Sequence, residues 1–219
     1  VQIVKEELGL PIMISPGLMD NATLLKAREK GANFLALYQE TYDTELYRKL
    51  RVGQSFDGRV NARRFAKNQG YCIEDGILTG VGNDIESTIL SLRGMSTNNP
   101  DMVRVMTFLP QDGTPLEGFR DKSNLSELKI ISVLRLMFPK RLIPASLDLE
   151  GIDGMVHRLN AGANIVTSIL PPDSQLEGVA NYDRGLEERD RDIKSVVRRL
   201  ETMGMKPARQ VDFETILGC

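Results

Sequence analysis

Six short apolar runs alternate with amphipathic stretches along the chain, and several of those stretches close on a glycine just before the next run. The runs are Pro11–Ser15, Asn33–Glu40, Tyr71–Gly80, Met102–Leu109, Leu142–Leu149 and Asn164–Leu170. Helical patterns lie between and after them, at Asn21–Lys30, Thr44–Leu50, Gly58–Gln69, Asp84–Gly94, Leu125–Phe138, Ile152–Asn160 and Leu186–Met203. Gly31, Gly70 and Gly162 stand where a helix hands over to a strand, and glycine takes the left-handed C-cap conformation at little cost. Strands that alternate with helices run parallel, because a tight hairpin cannot join parallel neighbours. The chain is therefore α/β with a parallel sheet.

A parallel sheet can stay open or close into a (β/α)8 barrel. No GxGxxG or GxxxxGK[ST] follows the first strand, so the nucleotide-binding open sheet has little support. Polar residues gather instead at the C-terminal ends of successive strands: Ser15, Gln39 and Glu40, Thr79, Arg104 with Thr107, Ser146 with Asp148, and Thr167 with Ser168. That is the catalytic face of a barrel, where each strand end supplies one or two groups. About six βα units of such a barrel are present, and the expectation is a single, incomplete barrel domain over residues 1–219.

Spacing singles out three of these residues. Ser146 and Asp148 are two apart on a strand, so their side chains share a face. Arg104 lies inside an apolar run, between Val103 and Val105. A guanidinium and a carboxylate in a water-poor lumen each cost several kcal/mol, roughly, unless partnered. A zwitterionic ligand would offset that cost, with its carboxylate on Arg104 and its ammonium on Asp148. A structural Arg104–Asp148 ion pair fits the residue types equally well.

Composition removes other classes. Hydrophobic residues make up 41% and charged residues 26%, as in an ordinary globular protein. The formal net charge of −2 argues against a nucleic-acid binder. No apolar run is long enough to span a bilayer. The N-terminal VQIVKEELGL has the charge pattern of a helix rather than of a secretion signal, and it reads as the middle of an element. Cys72 and Cys219 form no CxxC pair; a small buried strand residue and an exposed free thiol are expected, in a reducing, cytoplasmic setting. His157 lies in a helical stretch without a ligand-type partner nearby. Arg63 and Arg64 read as solvated helix residues, and the run Leu186–Glu201 as a charged exposed face.

The stretch from ALYQETYDTELYRKL to GILTGVG carries family information: a Glu at a strand end in Q-E-T-Y-D-x-E-L-Y, then S-F-x-x-R, then G-I-L-T-G-V-G. FLPQDGTPLEGF, from Phe108 to Phe119, adds P-x-x-G-T-P-L. Together they resemble the biotin-synthase-like branch of the radical S-adenosylmethionine (SAM) enzymes, and the resemblance runs from Val1 through SLDLEGIDGM and LNAGANIVTSILPP to the last residues. It implies a radical SAM barrel in which a 4Fe–4S cluster reduces SAM to a 5′-deoxyadenosyl radical. Within the branch the similarity points to an isomerase that rearranges L-lysine into 3-methylornithine at the start of pyrrolysine biosynthesis, fed by an electron donor such as flavodoxin or ferredoxin.

Residue by residue, the resemblance implies that Glu40 holds the SAM ammonium and Arg59 faces the SAM carboxylate. Ser15 matches a polar position near the SAM amino-acid moiety, and Thr79 and Gly80 lie in the strand whose backbone passes the adenine. Arg104, Ser146 and Asp148 match substrate- or product-contacting positions, with Thr167 and Ser168 as additions. Tyr38, beside Glu40, either lines the pocket or packs.

One departure is large. The family's CxxxCxxC motif follows the first barrel strand and does not occur in this chain. Three thiolates hold such a cluster, so the sequence reads as a C-terminal part without metal ligands, inactive on its own and left with open sheet edges. A biotin synthase or hydrogenase maturase of the same branch, or a barrel that never held a cluster, are the alternative expectations. An aldolase-like barrel is disfavoured, since no Lys occurs in the six runs.

Overall fold

The structure is a computed structural model and describes residues 1–119, 126–148, 150–171 and 191–216. The chain divides into two compact units, Val1–Arg141 and Leu142–Gly218. The first carries α1 (Gln2–Leu8), β1 (Ile12–Ile14), α2 (Asn21–Glu29), β2 (Ala32–Ala36), α3 (Thr44–Leu50), α4 (Phe56–Asn68), β3 (Cys72–Thr79), α5 (Ile85–Asn98), β4 (Met102–Thr107) and α6 (Glu127–Met137). The second carries β5 (Pro144–Ser146), α7 (Gly151–Ala161), β6 (Ile165–Thr167), α8 (Ile193–Thr202) and α9 (Gln210–Ile216).

Every predicted strand forms, and every pairing is parallel. The described strands fall into two sheets, β1-β2-β3-β4 in the first unit and β5-β6 in the second. Six helices start on a side-chain cap: Asp20, Asp43, Ser55, Asp84, Ser126 and Asp192 each accept from a first-turn N–H that has no partner inside the helix. The Ser55 cap explains why α4 begins at Phe56, two residues before the predicted start. Gly70 and Gly162 have φ of 80° and 118°, in the left-handed region expected of them. The early part of the predicted Leu186–Met203 helix lies outside the described residues, and α8 begins at Ile193. No described helix is long and apolar enough to cross a membrane.

One side of the first sheet is packed. Leu35, Leu37 and Ile73 form a core with Leu24 of α2 and Ala62 and Ala66 of α4. Side chains alternate along a strand, so Glu74 and Gly76 of β3 point to the opposite side from these helices. In the second unit α7 covers β5, and Met155, Ala145 and Ile143 are fully buried. Cys72 is buried in β3 as expected, but it is not a free thiol, against the reduced pair expected. Cys219 lies outside the described residues. His157 is exposed on α7.

Candidate functional site

β2 was expected to run to Glu40 but stops at Ala36, because the next residues leave the ladder and rejoin it through one bridge, Glu40 to Ile77. Glu40 donates its N–H to the Gly76 carbonyl (2.9 Å) and accepts from Leu78 N–H (2.8 Å). It does so with φ of 68°, a conformation that costs a non-glycine residue about 1–3 kcal/mol and persists only where the surroundings enforce it. The carboxylate is buried. One oxygen, Oε1, accepts an ion-paired bond from Arg51, while Oε2 is buried without a hydrogen-bond partner. Burial pushes the Glu40 carboxyl above its ordinary range, while the Arg51 and Arg59 charges pull the other way.

Arg59 is buried on α4 and lies in the same neighbourhood. It donates Nη1 to the Tyr38 carbonyl (2.5 Å), and Nε and Nη2 to Gln54 Oε1 (3.2 and 2.8 Å). Among the described residues no carboxylate stands within ion-pair range of it, and burial lowers its pKa from the usual arginine value. Thr79 ends β3, buried, with Oγ1 on the Met106 carbonyl (3.3 Å), and Gly80 follows with φ of 79°. Ser15 follows β1 and is exposed. Arg51 and Gln54, which orient Glu40 and Arg59, were not foreseen. Their only signal was position, in the short turn between α3 and α4 that follows Glu40 in sequence.

Two consecutive buried acids of β3 organise the rest of the unit. Glu74 Oε1 accepts from Arg104 Nε (2.6 Å) and Oε2 from the Tyr38 hydroxyl (3.1 Å), with the Arg104 guanidinium 5.9 Å from the Tyr38 ring centre. The barrel-face arginine thus has a carboxylate on the neighbouring strand, Glu74, that the sequence reading passed over. The Glu-Asp pair inside YCIEDGILTG, charged in the middle of an apolar strand, was the available signal. Asp75 points the other way. It accepts from the Tyr42 hydroxyl (2.5 Å) and the Gln39 N–H (2.9 Å), with Arg63 Nη1 at 3.5 Å. Arg63 also donates to the Leu37 carbonyl and to Gln39 Oε1 (2.8 Å each). The expectation that Arg63 is solvated is therefore wrong: it is 3% exposed, and only Arg64 faces water. Arg59 and Arg63 are four apart on α4, on the stripe of Ala62 and Ala66, so spacing could have revealed this.

In the second unit, β5 and β6 bring the predicted oxygens together. Ser146 Oγ donates to Asp148 Oδ2 (2.6 Å) and lies 3.2 Å from Ser168 Oγ. Ser168 has φ of 66°, and Thr167 Oγ1 is buried with no hydrogen-bond partner. Asp148 Oδ1 accepts from Arg191 Nη2 (3.2 Å), which also bonds the Ser168 carbonyl (3.0 Å). Arg104 and Asp148 each have an ion-pair partner within their own unit, so the premise that both need an outside partner does not hold. Arg191 had no sequence signal, being one of many charges in the run Leu186–Glu201. Among the described residues no group of three or more His, Cys, Asp or Glu could hold a metal ion.

Parallel βα units with polar groups at or just past the strand ends are the arrangement of a partial TIM-type barrel, the fold class in which solved structures similar to this chain fall. HydG, a maturase of the [FeFe]-hydrogenase, shares that fold at a TM-score of 0.62 and 17% identity, over 73% of this chain and 38% of its own. The particular similarity is much narrower. Over 219 residues the chain is 95% identical to the 3-methylornithine synthase of Methanosarcina barkeri, and it spans 63% of that protein's length. A crystal structure of methylornithine synthase (PylB) superposes with a TM-score of 0.94 at 95% identity, over 98% of this chain and 64% of that one. No protein-family model matches the chain.

Proposed function

We propose that this chain is the SAM- and substrate-facing part of a radical SAM isomerase that converts L-lysine to 3-methylornithine. The observation that carries the reading is Glu40: a buried carboxylate in a left-handed backbone, with one oxygen held by Arg51 and the other without a partner. An orphaned buried acceptor costs about 1–3 kcal/mol, and an ammonium group is the ligand chemistry that would recover it. Arg59, fixed by Gln54 and the Tyr38 carbonyl, offers its planar fork to a carboxylate nearby. The two together fit the zwitterionic end of SAM. Thr79 and Gly80 would border the adenine and Ser15 the amino-acid moiety.

Within the first unit, Arg104, already oriented by Glu74, would receive a substrate carboxylate. Within the second unit taken by itself, Ser146, Asp148, Thr167 and Ser168 would offer oxygens to an ammonium, and the unpartnered Thr167 hydroxyl fits that use. When bound, SAM and a 4Fe–4S cluster would supply the hydrogen-abstracting radical. The residues of this chain bind, orient and exclude water. Cluster ligands would come from sequence outside these residues, and electrons from a donor such as flavodoxin or ferredoxin in the cytoplasm.

The test uses the full-length protein containing this segment, with its cluster reconstituted. SAM binding at neutral pH and turnover of L-lysine are measured for the wild type, Glu40→Gln and Asp148→Asn. Glu40→Gln is expected to weaken SAM binding by about 30-fold or more, the scale of losing one partner of a buried charge pair. Asp148→Asn is expected to spare SAM binding and raise KM for lysine. Wild-type SAM affinity in Glu40→Gln, or turnover of another substrate in place of lysine, would remove this reading.

A further inference from the structure

The turn from Arg51 to Gln54 joins α3 to α4 and reaches both charged groups of the proposed SAM end. Gln54 donates its N–H to the Arg51 carbonyl (3.0 Å), closing the turn, and Gly53 takes φ of 73° at its tip. One end of the turn sends Arg51 to Glu40 Oε1, and the other sends Gln54 Oε1 to Arg59. The Arg51 side chain is 31% exposed against 5% for Glu40, so this arginine reaches in from the rim toward a carboxylate that lies below it.

A buried carboxylate without a cation nearby neutralises itself by taking a proton. A protonated Glu40 would have no charge with which to hold an ammonium. Four charged or titratable groups bear on it: Arg51 and Arg59 favour its ionised form, while Asp75, itself facing Arg63, opposes it from β3. Tyr38, whose hydroxyl is pushed well above its usual range mainly by burial, stays neutral. Of the two cations only Arg51 makes a direct ion pair with Glu40; Arg59 is held by Gln54 and the Tyr38 carbonyl, which leaves one N–H on each terminal nitrogen. A bidentate arginine would block both carboxylate oxygens. Arg51 takes one and leaves the buried Oε2 without a hydrogen-bond partner.

We propose that Arg51 is a positioning residue for SAM binding: it holds Oε1 of Glu40, keeps that carboxylate charged, and so presents Oε2 to the ligand's amino group. This rests on the SAM reading of Glu40 given above. It adds that ligand affinity is made insensitive to pH by a residue that does not itself touch the amino group.

The experiment measures SAM dissociation constants in the full-length, cluster-reconstituted protein from about pH 6 to 9, with Glu40, Arg51 and the ligand amine as the groups at issue. Four proteins are compared: wild type, Arg51→Gln, Arg51→Lys and Glu40→Gln. Relative to wild type, Arg51→Gln is expected to lose affinity increasingly as pH falls, by about tenfold per pH unit below its new Glu40 pKa, and to recover at the alkaline end. Arg51→Lys restores the wild-type profile. Infrared difference spectra of the ligand-free proteins provide the second reading: a protonated-carboxyl band is expected in Arg51→Gln near neutral pH and absent from wild type and from the Arg51→Gln/Glu40→Gln double variant. A wild-type profile in Arg51→Gln overturns the proposal while leaving the Glu40 reading intact. A loss that is equal at every pH also overturns it, since Arg51 would then act by shape or direct contact. Wild-type affinity in Glu40→Gln overturns both.

Discussion

Glu74 and Asp75 are neighbours in one strand, equally buried, and each is gathered into the same set of four residues. Glu74 has Arg104, Tyr38 and Gly76; Asp75 has Arg63, Tyr42 and Gly94. In both sets the tyrosine donates to the acid, the arginine approaches the tyrosine ring at about 6 Å (5.9 and 6.0 Å), and the ring lies against a glycine that has no Cβ. The sets differ in where they face. Asp75 is turned toward the helices, and its oxygens meet a hydroxyl, two backbone N–H groups and a guanidinium that is 3% exposed and also bonded to Leu37 and Gln39. Glu74 is turned to the other side of the sheet, toward an arginine with 11% of its side chain exposed. A closed set locks helix to strand; a set with an accessible arginine can hand that arginine to a ligand. The same chemistry thus serves structure on one face of β3 and, on the proposed reading of Arg104, presentation on the other.

The largest separation is expected on removing each charge. Asp75→Asn leaves Arg63 buried without its counter-ion, a situation that costs about 3–5 kcal/mol. Urea unfolding of the full-length protein should show a drop of that order. A loss under about 1 kcal/mol would mean that Asp75 does not carry the joint between α4 and β3.

The glycines come next. A methyl group at Gly94 would overlap the Tyr42 ring, with three of its carbons inside any permitted contact, whereas at Gly76 it would stand 2.9 Å from Tyr38 Cδ1. Alanine in place of a helical glycine ordinarily gains about 1 kcal/mol. Gly94→Ala is expected instead to lose about 3 kcal/mol, at the upper end of overpacking costs, and Gly76→Ala about 2. Thermal unfolding orders the two, and a stabilised Gly94→Ala would show that the Tyr42 ring can move aside, which would undo the picture of a locked set.

Glu74→Gln is the sharper functional comparison. It keeps the shape and a bond from Tyr38 but releases Arg104 from its fixed direction. A stability loss of about 1–2 kcal/mol is expected, less than for Asp75→Asn because Arg104 is partly accessible. If the proposed function holds, steady-state kinetics of the full-length protein on L-lysine should show KM raised about tenfold, with kcat changed less, the signature of lost uniform binding. If kcat falls while KM stays, Glu74 acts on the reacting atoms and not through Arg104.

Much of the frame was legible because periodicity and end signals agree locally. The alternation of runs placed all six strands, and periodicity with closing glycines placed most helix ends to within a few residues. The interruption of β2 before Glu40 was not legible, since a left-handed glutamate has no sequence mark. Site residues divided on a similar line. Strand-end positions such as Arg104, Ser146 and Asp148 followed from alternation. Their partners Glu74 and Arg191 did not: one was an acid read as a strand interior, the other belonged to a run read as solvent-exposed. Arg63 failed for a related reason, because a charged residue on a helix is usually solvated and only its spacing from Ala62 and Ala66 says otherwise.

The smallest effect extends the comparison to a third acid. Glu40 resembles Asp75 in burial but lacks its full set of donors, so its charge should lower stability where that of Asp75 raises it. Burial sets the Glu40 pKa above that of an unfolded glutamate, so the folded chain holds the proton more tightly. The stability tied to that proton is fully present below the ordinary glutamate range and is lost as pH rises through the folded pKa. Glu40→Gln has no such proton to lose. It should match the wild type below the ordinary glutamate range and become more stable by about 1 kcal/mol as pH rises above the folded pKa, even though the proposed SAM contact is weakened. Denaturant midpoints across that range give the answer. A Gln variant less stable than wild type at neutral pH would mean that the Arg51 ion pair outweighs the desolvation of Glu40. The acid would then stand with Asp75 as a structural group and not with Glu74 as a presenting one.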